Sequence, residues 1–260
     1  VACKNIGARI DNPIFVIGGP CSGTTLLWDM LKSHPDVSGP PIEGQDLEDM
    51  PNSMVHYLGK DTFMLWAING NPYWLDETNC DMADKAKIVN AYIPFLSQGE
   101  RLCDKSPAHT ARARGIQEFF PDAYFVGIVR SPYATVPSII ARRQYDGRYP
   151  HMGGLETTTE EAADQWNLAN TMLLSHERRL DRLKVVRYED LIADPGRIIG
   201  GVVDFLELGE HSFDMPLIYK DCNKKRINSL TDADIGIIHN SCNVLANYYG
   251  YKKPELKNAV

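Results

Sequence analysis

Short apolar runs alternate with amphipathic stretches along this chain, at the lengths expected of strands followed by helices. Residues 13–19, PIFVIGG, are apolar and end on two glycines, and TTLLWDMLKSHP follows with Leu27, Met30 and Leu31 at helical spacing. This predicts a strand, a tight loop and a helix that stops at His34-Pro35, since a residue before proline is pushed out of helical geometry. A second strand is expected over 101–105, a helix through ARARGIQEFFP ending at Pro121, and a third strand over AYFVGIVR. SPYATVPSIIARRQ reads as a helix that starts at Pro132. Residues 159–180 open on threonine with Glu160 and Glu161, then carry Ala162, Trp166, Ala169, Met172 and Leu173 on one face, as a capped amphipathic helix does. A strand over LKVVRYE, a helix over 196–206 and a last helix over 232–248 complete the series.

Strands alternating with helices imply an α/β fold, a central, mainly parallel sheet flanked by helices on both faces. Ligands of such sheets bind where the carboxyl ends of the strands release their loops. Residues 38–100 show no clear period. They are rich in Pro, Asn, Asp and Met, carry Tyr57, Phe63, Trp66, Tyr73 and Trp74, and are expected to shape an acceptor side of the site.

Composition narrows the partners. A length of 260 residues suits one domain over 1–260. The net charge of −7 argues against a broad basic surface for a nucleic acid polymer, so any anion site must be local. No run of about 18 apolar residues could span a bilayer, and VACKNIGARIDNP has no signal pattern. The chain reads as soluble, as would an excised domain of a longer or secreted chain. Cys3, Cys21, Cys80, Cys103, Cys222 and Cys242 form no CxxC pair, which argues against structural zinc. Free thiols in a reducing cytoplasm are expected, although an even count leaves disulfides open. Nothing in the chain fixes an oligomeric state.

The chemistry concentrates in GGPCSGTT, residues 18–25. Its spacing is that of the phosphate loop GxxxxGK[ST], except that Thr24 stands where the lysine belongs. In triphosphate enzymes that lysine reaches the β- and γ-phosphates. The remaining parts suit a shorter anion: glycines admit the backbone, the helix N-terminus offers unpaired N–H groups, and Ser22, Thr24 and Thr25 add hydroxyls. A glycine-rich turn of this kind can also serve tight packing alone.

PCSGTTLLWDMLKSHPDV resembles the first motif of the sulfotransferases that use 3′-phosphoadenosine 5′-phosphosulfate (PAPS), especially the tyrosylprotein and carbohydrate branches, where it reads like PRSGTTL followed by a helix and HP. The resemblance implies a P-loop-containing, sulfotransferase-like fold. It further implies PAPS held by Gly19, Pro20, Cys21, Ser22, Gly23, Thr24 and Thr25, PAP as product, no required metal, and an acceptor hydroxyl on a small molecule, sugar or peptide. Cys21 replaces the basic residue of the family motif, which removes one cation from the transfer site.

The similarity continues to about residue 250, with no counterpart for 44–100. IVRSPYATVPS resembles the segment with which the family grips the 3′-phosphate, implying that role for Arg130 and Ser138. Eight residues are a little over two helical turns, so both can face one group, and an arginine fork suits a phosphate dianion. RLCDKSPAHT resembles the lysine-bearing strand end and implies Lys105 beside the phosphosulfate. VVRYEDLIADP implies Tyr188 near the adenine, with Glu189 and Asp190 as caps or ion pairs. KKRINSL offers Arg226 and Ser229 for a late loop closing over the nucleotide.

Sulfuryl transfer needs an in-line acceptor and a base for its proton. Glu43, in PPIEGQ, lies near where tyrosylprotein sulfotransferases place a catalytic glutamate. His109 and His34 are alternatives, one also readable as a polar residue at a helix start and the other as a helix stop. Two other classes compete: a P-loop small-molecule kinase, which expects a lysine at position 24 and magnesium-holding carboxylates, and a non-catalytic nucleotide-binding module, which Cys21 favours.

Overall fold

A computed structural model describes residues 10–54, 63–68, 74–97, 99–145, 154–211 and 222–255. Tyr57, Tyr73 and Cys3 lie outside them. The chain runs β1 (Ile14–Gly18), α1 (Thr24–Lys32), β2 (Val37–Ser38), α2 (Asp84–Tyr92), β3 (Arg101–Lys105), α3 (His109–Phe119), β4 (Tyr124–Val129), α4 (Pro132–Gln144), α5 (Thr159–His176), β5 (Leu183–Arg187), α6 (Tyr188–Ala193), α7 (Pro195–Phe205), α8 (Cys222–Asn228) and α9 (Asp232–Tyr248). The strands form one parallel sheet in the order β2-β3-β1-β4-β5. The α/β fold with helices on both faces is therefore the one the alternation predicts.

β1 is buried along its whole length because both of its faces are covered, which is why it reads as a continuous apolar run. Its side chains alternate between two cores. Phe15 and Ile17 pack with Phe125, Leu173 and residues of α2 and α3 on one face. Ile14 and Val16 pack with Leu27, Leu31 and Val202 on the other, under α1 and α7. A third cluster, with Val129, Tyr133, Trp166, Ile238 and Leu245, joins α4, α5 and α9. Burying each large apolar side chain contributes roughly 1.5–3 kcal/mol, enough for the two faces to fix the register of the central strand.

Several helix ends are set locally. Thr158 accepts from the Glu161 backbone N–H while the Glu161 carboxylate accepts from the Thr158 N–H, a capping box at the start of α5. Thr231 and Asp234 do the same for α9. The sequence reading needs adjustments. Residues 224–228, expected in a late loop, lie in α8. Tyr188 is the first residue of α6 rather than part of the strand before it, and the stretch without a clear period contains a helix, α2, whose Ile88, Ala91 and Tyr92 are buried. Among the described residues no helix is long and apolar enough to cross a membrane.

The topology selects the place for a ligand. β1 lies between β3 and β4, and the chain leaves it first toward β2 and β3 and later toward β4 and β5. The carboxyl ends of β1, β3, β4 and β5 therefore open on one side, at the kind of switch point where α/β sheets bind ligands.

Candidate active site

The glycine-rich loop follows β1 directly. Thr110, on α3, fixes its start: the Gly18 N–H donates to Thr110 Oγ1 at 2.8 Å, and the hydroxyl donates back to the Gly18 carbonyl at 3.2 Å. Ser22 closes the turn by donating from Oγ to the Gly19 carbonyl at 2.7 Å. Gly23 then takes φ +102°, left-handed geometry that a side chain resists, and a Cβ there would lie 2.5 Å from Tyr188 Cδ2. As the N-cap of α1 it brings no side-chain cap, so the first-turn N–H groups keep their capacity for an external anion. Thr24 is buried and Thr25 exposed at this mouth.

Cys21 also holds a left-handed backbone, φ +60°. Burial pushes its thiol pKa up, more than the neighbouring charges of Arg142, Arg130 and Arg226 pull it down; Arg142 also hydrogen-bonds the thiol. The charges of three guanidiniums, from α4, the end of β4 and α8, thus act on the position that lacks a basic side chain of its own. Arg130 is buried, donates from Nη1 to the Cys21 carbonyl at 2.9 Å and from Nε to Asn223 Oδ1 at 2.8 Å, and stacks 4.7 Å from the Tyr188 ring centre. Asn223 in turn donates to Glu189 Oε1 at 2.7 Å, and Tyr251 donates to Glu189 Oε2 at 2.9 Å. Glu189 is a structural organiser of this corner through these hydrogen bonds and one more from the Ser131 N–H at 3.1 Å, rather than through the ion pair that was one expectation for it.

Ser138 lies on α4, buried, its hydroxyl donating to the Ala134 carbonyl at 2.7 Å. Ser229 is exposed and donates to the Arg226 carbonyl at 2.7 Å, closing the end of α8. Of that late pair, Arg226 is the one whose charge reaches the loop.

The second half of the site is built at the end of β3. Lys105 forms an ion pair with Glu43, and its ammonium lies 5.5 Å from the Trp28 ring centre. The neighbours of both residues are joined as well. The Gly44 N–H donates to Asp104 Oδ1 at 2.8 Å, and Ser106 Oγ donates to Gln45 Oε1 at 2.7 Å. Residues 43–45 are thereby stitched to residues 104–106. Glycine is required at 44 because a Cβ would sit 2.4 Å from both Asp104 Oδ2 and the Tyr92 hydroxyl.

Asp104 is fully buried. Burial alone would raise its carboxyl, but hydrogen bonds from His109, Tyr92 and the Gly44 N–H, with the His109 charge, outweigh that and hold it below the usual carboxylate range. His109 Nε2 lies 2.9 Å from Asp104 Oδ2, and the residue has no exposed surface. His109 thus belongs to the support beneath Glu43 rather than to the open face. His34 is at the far end of α1, its Nε2 3.0 Å from the Gly209 carbonyl, away from the loop. Asp46 stands beside Glu43; although much of the residue meets solvent, its carboxyl group is partly enclosed, and that burial and then the Glu43 charge raise it to about 6.

Sequence reasoning missed Gln45, Asp104, Thr110 and Trp28. Asp104 and Thr110 flank Lys105 and His109 in RLCDKSPAHT; apart from the Asp104–His109 contact, their partners Gly44, Tyr92 and Gly18 lie outside that segment, so spacing held no signal for those contacts.

The geometry can be set beside known proteins. The profile of the Sulfotransferase family matches residues 13–212. Protein-tyrosine sulfotransferase 1 of Danio rerio is 27% identical over 207 residues, which cover 76% of this chain and 54% of that protein. The protein-tyrosine sulfotransferase of Drosophila melanogaster is 29% identical over 212 residues, covering 75% and 38%. The chain thus spans about half the length, or less, of these two relatives. The omega-hydroxy-beta-dihydromenaquinone-9 sulfotransferase of Mycobacterium tuberculosis is 24% identical, covering 94% of this chain and 76% of its own. Among solved structures, the sulfotransferase domain of the Synechococcus PCC 7002 olefin synthase superposes with a TM-score of 0.58 at 23% identity, covering 95% of this chain and 98% of that one. The sulfotransferase domain from the curacin biosynthetic pathway gives 0.57 at 21%, covering 95% and 100%. At these identities the two structures speak for the fold.

Proposed function

The chain belongs to the sulfotransferase family, and on that premise we propose that it transfers a sulfuryl group from PAPS to an acceptor hydroxyl, releasing PAP. The observation that carries this reading is the pairing of Lys105 with Glu43 at the end of β3, beside the strand that delivers the uncapped loop. It supplies a cation for the leaving phosphate and a carboxylate for the acceptor proton at one place.

The residues present fit the donor. The first-turn N–H groups of α1, with Ser22, Thr24 and Thr25, suit the 5′-phosphosulfate, and Lys105 adds the charge that the loop lacks at position 24. Arg130, with Ser138 further along α4, suits the 3′-phosphate, while Tyr188 against Gly23 offers an aromatic surface for the adenine. PAPS brings an activated sulfuryl group on a good leaving group; the protein's part is to align the acceptor, take its proton at Glu43 and stabilise charge on the departing phosphate. Relatives named for protein-tyrosine and for menaquinone-derived acceptors support a hydroxyl acceptor as the class, on a peptide, a sugar or a small molecule.

Binding of PAP and of ATP to the wild type and to Arg130→Ala tests the reading. Tight PAP binding that the substitution weakens supports it. Stronger, magnesium-dependent ATP binding would overturn it in favour of a kinase.

A further inference from the structure

Gln45 is 2% exposed, and both ends of its amide are engaged. Its Nε2 donates to Glu43 Oε2 at 2.7 Å. Its Oε1 accepts from Ser106 Oγ at 2.7 Å and from Arg112 Nη1 at 3.4 Å. A guanidinium can only donate, so the amide atom that faces Arg112 is the oxygen and the NH2 group is the end that meets Glu43.

The two oxygens of Glu43 therefore have partners of different character. Oε1 faces Lys105 and Oε2 faces Gln45. Lys105 carries a compact charge on a flexible four-carbon stem, able to turn toward another anion. Gln45 is pinned from behind by Ser106, next in chain to Lys105, and by Arg112, which is buried and donates to the Met54 carbonyl at 3.0 Å. The other charged groups around the carboxylate are Asp46 in its own loop, Asp104 on β3 and Asp29 of α1, which faces Lys105.

We propose that Gln45 is a positioning residue for the transfer reaction, anchoring Glu43 through Oε2 so that Oε1 is the oxygen that takes the acceptor's proton. This rests on the reading of sulfuryl transfer with Glu43 as base. Lys105 leaves Oε1 for the phosphosulfate once the donor is bound. The acceptor hydroxyl then gives its proton to Oε1 while its oxygen bonds to sulfur. The bond from sulfur to the bridging oxygen breaks, and that oxygen keeps the electron pair as part of the 5′-phosphate of PAP, beside Lys105. The products are a sulfate ester, PAP and a protonated Glu43.

The test compares Gln45→Leu and Gln45→Glu with the wild type by the carbon-13 chemical shift of the Glu43 carboxyl at one fixed pH in the donor-free protein, by PAP affinity, and by kcat and KM for PAPS with an acceptor that the wild type sulfates. Gln45→Leu is expected to displace the Glu43 carboxyl resonance, because the carboxylate loses the hydrogen bond from Nε2. It should keep PAP affinity within about threefold and lower kcat by about ten- to a hundredfold with KM for PAPS held. Gln45→Glu, which sets a second carboxylate against the first, should displace the resonance as well. An unmoved resonance in either folded variant overturns the proposal, as does a kcat loss without any displacement of the resonance. Should both variants fail to fold, Ser106→Ala decides: it removes one of the two donors that hold the far end of the amide and should displace the resonance less, and no displacement overturns the proposal. The resonance needs no turnover, so a wild type that binds no PAP and sulfates nothing sinks the transfer reading while the hold of Gln45 on Glu43 is still measured.

Discussion

Glu43 and Lys105, 62 residues apart in the chain, meet as an ion pair whose side chains are 23% and 6% exposed. A solvated pair of this kind contributes little to stability. This one is nearly enclosed and is held by its neighbours on both strands of contact, from Gly44 to Asp104 and from Gln45 to Ser106.

Separate substitutions of the pair should give different signatures. Glu43→Gln keeps the shape and removes the proposed base, so kcat is expected to fall by about a hundredfold or more while PAP affinity holds. Lys105→Met removes the cation facing the leaving phosphate, so turnover should fall and recover in part with donors whose leaving group is a weaker base. Single-turnover kinetics with PAP titrations check both; a Glu43→Gln enzyme with wild-type turnover removes Glu43 as base.

Gly23→Ala should damage the loop twice. The backbone there is left-handed, and the new Cβ would overlap the Tyr188 ring. Strain and overlap together cost about 1–3 kcal/mol, and because Tyr188 also stacks with Arg130, PAP affinity should fall with the melting temperature. Retained PAP binding with lowered stability would separate the loop geometry from the binding site.

Restoring the family's basic residue by Cys21→Arg is expected to destabilise rather than repair the loop, because Arg142, Arg130 and Arg226 already face that position. Like charges at close range should lower the melting temperature by a few degrees. Adding Arg142→Gln in the same chain should recover a good part of the loss, which a double-mutant cycle reads as coupling. Additive effects would mean that the guanidiniums do not share the site.

Asp76 ties the segment before α2 to α3. Hydrogen bonds from the Thr78 hydroxyl and backbone, then from the Trp74 indole, lower its carboxyl to about 2, with the Arg114 charge adding to them. A folded-state value below the unfolded value of about 3.9 means stability that is fully present above about pH 5 and is lost as pH falls through 4 toward 2. Asp76→Asn should therefore lower the melting temperature by a few degrees at pH 7, and the gap from the wild type should close by about pH 2. A gap that stays constant with pH would assign the loss to packing alone.

Much of this was legible in the chain. β1, β3, β4 and β5 fall where the apolar runs stand, and α5 and α9 begin at the threonine caps that their sequence announces. Lys105 and Arg130 were singled out because RLCDKSPAHT and IVRSPYATVPS resemble sulfotransferase segments, and the fold places one at the end of β3 and the other just after β4. α2 was not found: it is nine residues long in a stretch without a clear period, and its Ile88, Ala91 and Tyr92 are buried against core residues distant in the chain, with the Tyr92 hydroxyl donating to Asp104 at 2.7 Å.

The sequence by itself determined the strand, the glycine turn and the helix that make an anion cradle, since those depend on residues adjacent in the chain and on the conformations glycine alone allows. The resemblance of that segment to the family motif exposed Cys21 as a missing cation. Only the tertiary structure decided what surrounds these parts. That the charges of Arg142 and Arg226 act on Cys21, and that Lys105 meets Glu43 while Ser106 and Arg112 hold Gln45, follow from parallel strands and packed helices bringing distant segments to one edge of the sheet. Such meetings carry no local spacing, because burial and hydrogen-bond satisfaction, rather than chain proximity, select them.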